Sequence, residues 1–124
     1  MKELVFIFIG SGLGGITRYS LGKWITSLHN IQFPFETLVV NISACLLLGF
    51  IVGLADHKQM ISDTTRLFWV VGFCGGFSTF STFSSETLSL FQTSQTTSAI
   101  IYIFSSVLFC LTATFAGLLI AEKI

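Results

Sequence analysis

Four long apolar stretches, separated by short polar segments, limit what this chain can fold into. Of its 124 residues, 52% are hydrophobic and only 10% are charged, whereas soluble domains carry about 25% charged residues. A helix that crosses the hydrocarbon core of a bilayer needs about 20 apolar residues. The sequence therefore predicts an all-α membrane protein with four transmembrane helices in one domain over 1–124. The predicted spans are residues 4–25, 35–55, 66–91 and 98–121.

The charged residues are few and nearly balanced between the two ends of the predicted spans. With four spans, the N-terminus, the second loop and the C-terminus share one side, and the first and third loops share the other. The cations of the first side are Lys2, Lys58, Arg66 and Lys123, and those of the second are Arg18 and Lys23. This weak bias leaves the orientation open, including insertion both ways round. A formal net charge of zero gives no basic surface for nucleic acid.

The third predicted span contains a run that does not suit a lipid-facing helix. Residues 75–84 hold two glycines, five hydroxyl side chains and three phenylalanines. Lipid cannot hydrogen-bond backbone groups that a helix break releases, so such a segment must face protein or water. Gly75 and Gly76 weaken the helix, which predicts a break in this span. We interpret the run as a polar track with aromatic rings beside it, suited to a small polar solute.

Other polar and small residues lie inside the remaining spans. Asn41 is the strongly polar residue of the second span, and Arg18 lies deep in the first. Ser106, Cys110 and Thr114 are four residues apart, on one face of the fourth. They indicate either a packing stripe bonded to its own backbone or a second wall of the track. Glycine pairs in the first and second spans favour close helix packing.

The residue types present favour anion conduction over catalysis. Both histidines lie in predicted loops, away from the hydroxyl-rich run, so no oriented base for nucleophilic catalysis is evident. The three cysteines lie in apolar stretches without close pairing, which is typical of buried hydrophobic residues. Hydroxyl and amide donors replace the water that an anion loses, and ring edges carry partial positive charge. Acidic residues are absent from the middle of spans one, two and four.

Three segments together resemble the Fluc/CrcB family of fluoride channels. They are Gly14-Gly15-Ile16-Thr17-Arg18-Tyr19, Thr37-Leu38-Val39-Val40-Asn41 and the long third-span motif Gly72-Phe73-Cys74-Gly75-Gly76-Phe77-Ser78-Thr79-Phe80-Ser81-Thr82-Phe83. The match covers nearly the whole chain in order. The resemblance implies a fluoride-selective channel, and not an enzyme, that passively exports cytoplasmic fluoride across the cell membrane. It also implies an antiparallel, dual-topology homodimer with two pathways, each built from both copies.

The resemblance also implies roles for individual residues. Phe80 and Phe83 match the aromatic box along the pore, and Asn41 matches a position on the ion path. Ser81, Ser84 and Thr114 continue the polar track, and Glu86 lies beside the pathway. Arg18 matches an arginine of the vestibule. The carbonyls of Gly75 and Ser78 match the ligands of a structural sodium ion at the dimer interface.

Two departures and two competing functions complete the expectations from sequence. Ser78 stands where many relatives have threonine, and Cys110 stands where some carry a serine of the track. A small dual-topology, proton-coupled multidrug exporter is the main alternative, but it needs a carboxylate deep in the first span, where this chain has Arg18. A non-conducting assembly subunit leaves the serine, threonine and phenylalanine run unexplained.

Overall fold

The computed structural model describes all residues, 1–124, and is helical throughout, without strands. The elements are α1 (Lys2–Ser27), α2 (Phe35–Asp56), α3 (Asp63–Arg66), a π-helical segment (Leu67–Cys74), α4 (Gly75–Phe77), α5 (Phe80–Gln92) and α6 (Thr96–Lys123). The elements from Asp63 to Gln92 form one bent transmembrane helix, called the third span below.

Four helices are long and apolar enough to cross a membrane, namely α1, α2, the third span and α6. This confirms the predicted all-α membrane fold with four spans. Only 22 of the 124 residues are buried in the single chain. Most of the apolar surface therefore faces outward, as expected for a protein that is surrounded by lipid instead of water.

The helix starts follow from local sequence. Pro34 directly precedes α2, where its missing N–H is not needed, and Glu36 places a negative charge in the first turn. Ser62 caps α3, and its hydroxyl accepts a hydrogen bond from the Thr65 N–H at 3.2 Å. The first turn of a helix leaves backbone N–H groups unpaired. Pro34 has no such group, and Ser62 accepts a hydrogen bond from one.

Glycines let α1 pack directly on the backbone of the third span. A Cβ built on Gly14 would clash with the Phe73 carbonyl and lie 2.8 Å from the Phe77 nitrogen. A Cβ on Gly10 would lie 2.5 Å from the Phe68 carbonyl oxygen. Both contacts are too short for a side chain, so the close approach requires glycine, as the pair Gly10 and Gly14 predicted.

A second glycine contact joins α2 to α6. A Cβ on Gly49 would clash with the Thr114 carbonyl, and one on Gly117 would clash with the Leu46 carbonyl. Gly53 meets Ala121 in the same way. Gly49 meets Thr114, and Gly53, one turn further along α2, meets Ala121 further along α6, so the two helices run parallel.

The third span bends where its hydroxyl-rich run lies. Ser78 and Thr79 have extended backbone conformations, with φ/ψ of −78/157° and −151/113°. Thr79 is the N-cap of α5, and its hydroxyl accepts from the Thr82 N–H at 3.3 Å. A capping residue has non-helical φ and ψ. The extended conformation of Thr79 therefore caps α5 and bends the span at the same point.

Candidate functional site

Asn41 on α2 holds the extended segment of the third span in place. Its Oδ1 accepts from the Thr79 N–H at 2.8 Å, and its Nδ2 donates to the Thr79 carbonyl at 3.2 Å. The side-chain amide therefore pairs both backbone groups of one residue, as a neighbouring strand would. A backbone group left unpaired inside a membrane costs on the order of several kcal/mol. Asn41 thus stabilises the bend directly.

Three hydroxyls gather around the start of α5. Thr79 Oγ1 donates to Thr82 Oγ1 at 2.9 Å and lies 3.3 Å from Ser81 Oγ. Thr79 is buried, whereas Ser81 and Thr82 are exposed in the single chain. The cluster provides rotatable donors beside the segment that Asn41 anchors, and such donors can turn toward an anion.

A cavity of about 430 Å³ opens beside this segment. Its ten lining residues come from α1, α2 and the third span, and most of them are polar or charged. They are Arg18, Tyr19, Gly22, Lys23, Thr26, Glu36, Thr37, Val40, Thr79 and Thr82. The structure therefore brings Arg18, predicted as a vestibule residue, into one space with the hydroxyls of the third span.

The two cations of the cavity have no carboxylate partner. The ion pair that the chain forms joins Arg66 and Asp56 at 3.3 Å, and these residues are largely exposed. The Lys23 ammonium lies 5.7 Å from the centre of the Tyr19 ring, a cation–π distance. Arg18 and Lys23 are therefore free to interact with a solute, and both attract anions.

Glu86 lies on α5 with both carboxylate oxygens hydrogen-bonded. The Thr37 hydroxyl donates to Oε1 at 2.7 Å, and the Tyr102 hydroxyl donates to Oε2 at 2.7 Å. Tyr102 is fully buried and Thr37 is nearly so. A carboxylate inside a membrane protein needs such partners. Glu86 therefore joins α2, α5 and α6 at one point, next to the cavity lining residue Thr37.

Aromatic rings continue from this cluster to the outer surface. Phe83 lies 5.0 Å from Tyr102 and 5.5 Å from Phe80, measured between ring centres. Phe83 is partly buried, but Phe80 is 78% exposed. The two predicted box residues are thus neighbours, and the outer one has no cover within the single chain.

The remaining predicted site residues are not among those that line the cavity. Ser81 and Ser84 are exposed on α5. Thr114 packs against Gly49 on the far part of α6, and its hydroxyl donates to the Cys110 carbonyl at 3.0 Å. For Thr114, this bond is of the kind that the packing-stripe interpretation predicted, and the second-wall interpretation stays a prediction. Gly75 is exposed and Ser78 is partly buried beside the bend.

Thr37 and Tyr102 were given no individual role from sequence, and Thr79 and Thr82 were predicted only as members of the hydroxyl-rich run 75–84. Tyr102 carried a usable signal, since a tyrosine in an apolar span needs a partner for its hydroxyl. The three threonines could not be singled out, because the sequence offers many hydroxyls and does not show which ones meet. The side chains also include no group of three His, Cys, Asp or Glu residues placed to hold a metal ion.

Fold and site together define a small multi-pass membrane protein with a cation-lined polar cavity beside a bent span. The family model described as "CrcB-like protein, Camphor Resistance (CrcB)" matches residues 5–118. The chain belongs to this family.

Curated relatives align over almost the full length of the chain. A protein from Flavobacterium psychrophilum is 39% identical over 124 residues, which is 100% of both chains. One from Trichlorobacter lovleyi is 40% identical over 124 residues, 100% of this chain and 99% of the relative. One from Pyrococcus furiosus is 39% identical over 123 residues, 99% of this chain and 98% of the relative. All three are named fluoride-specific ion channel FluC.

Proposed function

We propose that this protein is a fluoride-selective channel that exports cytoplasmic fluoride passively. Fluoride enters cells as neutral HF, which dissociates at cytoplasmic pH and leaves the anion trapped. A channel then suffices, because the anion leaves down its electrochemical gradient. Family membership and the names of the full-length relatives support this function.

The observation that carries the proposal is the extended segment beside the cation-lined cavity. Arg18 and Lys23 attract an anion into the cavity, and the hydroxyls of Thr79 and Thr82 line the same space. These donors offer the anion hydrogen bonds in place of water, as selectivity filters do. A conduction path needs hydrogen-bond donors and an attractive electrostatic field, and this cavity offers both.

The predicted pathway residues take the following parts in this proposal. Asn41 shapes the segment that the ion passes, and Phe80 and Phe83 direct ring edges toward it. Ser81, Ser84 and Thr114 extend the track, and Glu86 fixes the wall through Thr37 and Tyr102. Arg18 collects the anion in the vestibule.

A second, antiparallel copy of the chain completes the pathway in this proposal. Phe80, Ser81 and Ser84 are exposed in the single chain, and hydroxyls gain nothing from facing acyl chains. Gly12 and Gly15 have no atom within 4 Å of a built Cβ, so α1 also keeps an open small-residue face. The weak charge bias of the loops permits the two orientations that an antiparallel dimer needs.

The bend of the third span suits a structural sodium ion. The Thr79 N–H donates to Asn41 and the Thr82 N–H donates to the Thr79 hydroxyl, so neither donates to the carbonyl four residues earlier. Those carbonyls belong to Gly75 and Ser78, the predicted ligands. Carbonyls released from a helix bind sodium in membrane proteins. We propose that these two, with their partners from the second copy, hold the ion, whose charge stabilises the contact.

Ion efflux from proteoliposomes tests the function. Liposomes are loaded with potassium fluoride or potassium chloride, and valinomycin releases the counter-ion. We expect rapid fluoride efflux and negligible chloride efflux, because closely spaced donors compensate a small anion for its lost water and fit a larger anion poorly. Equal rates for both halides, or no efflux of either, would contradict the proposal.

The same vesicles separate the channel from the proton-coupled exporter. An exporter would take up a cationic dye when a proton gradient is imposed, and it would move fluoride no faster than empty liposomes. Cross-linking of the purified protein in lipid tests the proposed dimer. The masses of the cross-linked products show whether the protein is a dimer or a monomer. A monomer that conducts fluoride would contradict the proposed shared pathway while leaving the channel function in place.

A further inference from the structure

The cavity also holds a charge of the opposite sign beside its two cations. Glu36 lies in the first turn of α2 and lines the same space as Arg18 and Lys23. Its Oε2 accepts a hydrogen bond from the Thr26 hydroxyl. Neither cation contacts this carboxylate as an ion pair. The charge of Glu36 is therefore not cancelled by a direct contact, and it contributes to the field inside the cavity.

The Glu36 carboxylate lies against α1 at Gly22. Arg18, Gly22 and Thr26 are four residues apart, so they follow one another along one helix face at about 6 Å per step. A Cβ built on Gly22 would lie 3.8 Å from Glu36 Oε2 and 4.0 Å from Glu36 Cβ. The carboxylate thus lies against the helical turn between Arg18 and Thr26, in the cavity that Arg18 also lines.

We propose that Glu36 lowers the occupancy of the cavity by anions and so limits their rate of passage. This rests on the proposed function, because it requires anions to pass through the cavity. Arg18 and Lys23 raise the local anion concentration, and Glu36 opposes them from the same wall. The hydroxyls at the start of α5 discriminate between anions by hydrogen bonding, whereas Glu36 sets how often any anion reaches them.

The charge-removing variant Glu36→Gln tests this directly. Glutamine keeps an oxygen that accepts from Thr26 and has nearly the same volume. In liposomes loaded with about 10 mM potassium fluoride and balanced with sucrose, where the Debye length is about 30 Å, we expect initial fluoride efflux to rise about two- to threefold. With about 0.5 M potassium gluconate on both sides, we expect the ratio of variant to wild type to fall toward one.

Matched variants separate the field from other effects. Glu36→Asp keeps the charge, so its efflux at low salt should stay close to the wild-type rate. Glu3→Gln makes the same charge change in the first turn of α1, away from the cavity lining, and should leave the salt dependence unchanged. Arg18→Gln removes a charge of opposite sign and should lower efflux most strongly at low salt.

The possible outcomes distinguish this proposal from the channel function itself. Wild-type efflux with an unchanged Glu36→Gln rate at low salt overturns the role of Glu36 alone. A rise that is equal at both salt concentrations also overturns it, since a structural change is not screened. Absence of fluoride efflux from wild-type liposomes overturns the channel function and the role of Glu36 together.

Discussion

The two halves of the third span are built in opposite ways. Before the bend, the backbone packs so closely on α1 that Gly10 and Gly14 leave no room for a Cβ. After the bend, Leu90 is the one buried residue of α5, and Phe80 is 78% exposed. The first half therefore belongs to the core of the protomer, whereas the second half offers hydroxyls and rings to its surroundings. The junction between them is the segment that Asn41 holds.

This contrast shows that separate parts of one transmembrane helix can serve different purposes, one for stability and the other for function. A bend decouples them, because α5 is positioned by the Asn41 hydrogen bonds and by the Glu86 contacts with Thr37 and Tyr102, and not by the glycine contacts of α1. Changes in the packed half should affect folding first. Changes in the open half should affect ion flux while the protomer stays folded.

The largest effect is expected from Gly14→Ala in the packed half. The added Cβ would clash with the Phe73 carbonyl, which is backbone and cannot turn aside. Overpacking of this kind costs about 1–3 kcal/mol or more, and we expect loss of folded protein and of flux. Gel-filtration profiles and thermal unfolding in detergent measure it.

Gly12→Ala is the matched control for this change. A Cβ at that position meets no atom within 4 Å, so the protomer should fold as the wild type does. If the two variants unfold at the same temperature, the close packing of Gly14 on the third span does not matter for stability.

The junction is tested by Asn41→Asp. A carboxylate still accepts from the Thr79 N–H but cannot donate to the Thr79 carbonyl, and it repels an anion on the path. Loss of a buried hydrogen bond costs about 1–3 kcal/mol, and we expect fluoride efflux to fall at least about tenfold. Normal efflux in this variant would show that Asn41 lies off the path or becomes protonated.

The open half is tested by Phe80→Ile. Isoleucine keeps bulk but loses the positive ring edge, and the side chain contributes little to the protomer core because it is 78% exposed. Aromatic contacts of this kind are worth about 0.5–1.5 kcal/mol, so we expect efflux to fall about two- to tenfold with unchanged folding. Equal efflux would argue against a pore-lining ring, and unfolding would argue against the contrast itself.

The smallest effect is expected from Thr114→Val, which tests whether α6 shares the polar track. Its hydroxyl donates to the Cys110 carbonyl, so removal should change stability by less than about 0.5 kcal/mol and lower efflux about twofold. Thr112→Val is the control, since that hydroxyl makes the equivalent bond to Leu108 on an exposed face. Identical efflux from both variants would assign Thr114 to packing.

Much of the outline follows from local sequence, and much of the site does not. Apolar runs and glycine pairs predicted the four spans and the close packing of α1, because both depend on residues near one another in the chain. The cavity was not predictable, because its lining combines α1, α2 and the third span. Tyr102 and Thr37 gained roles only when the structure placed them on Glu86.

By itself, the sequence determined a four-span helical membrane protein and its family, since composition and a continuous motif are enough for both. Only the tertiary structure decided which polar groups meet: Asn41 reaches Thr79 across 38 positions, and Thr37 reaches Glu86 across 49. The physical reason is that such bonds depend on the rotation and offset of whole helices. Glycine contacts on α1 and α2 fix those offsets, and the offsets cannot be predicted from any local sequence pattern.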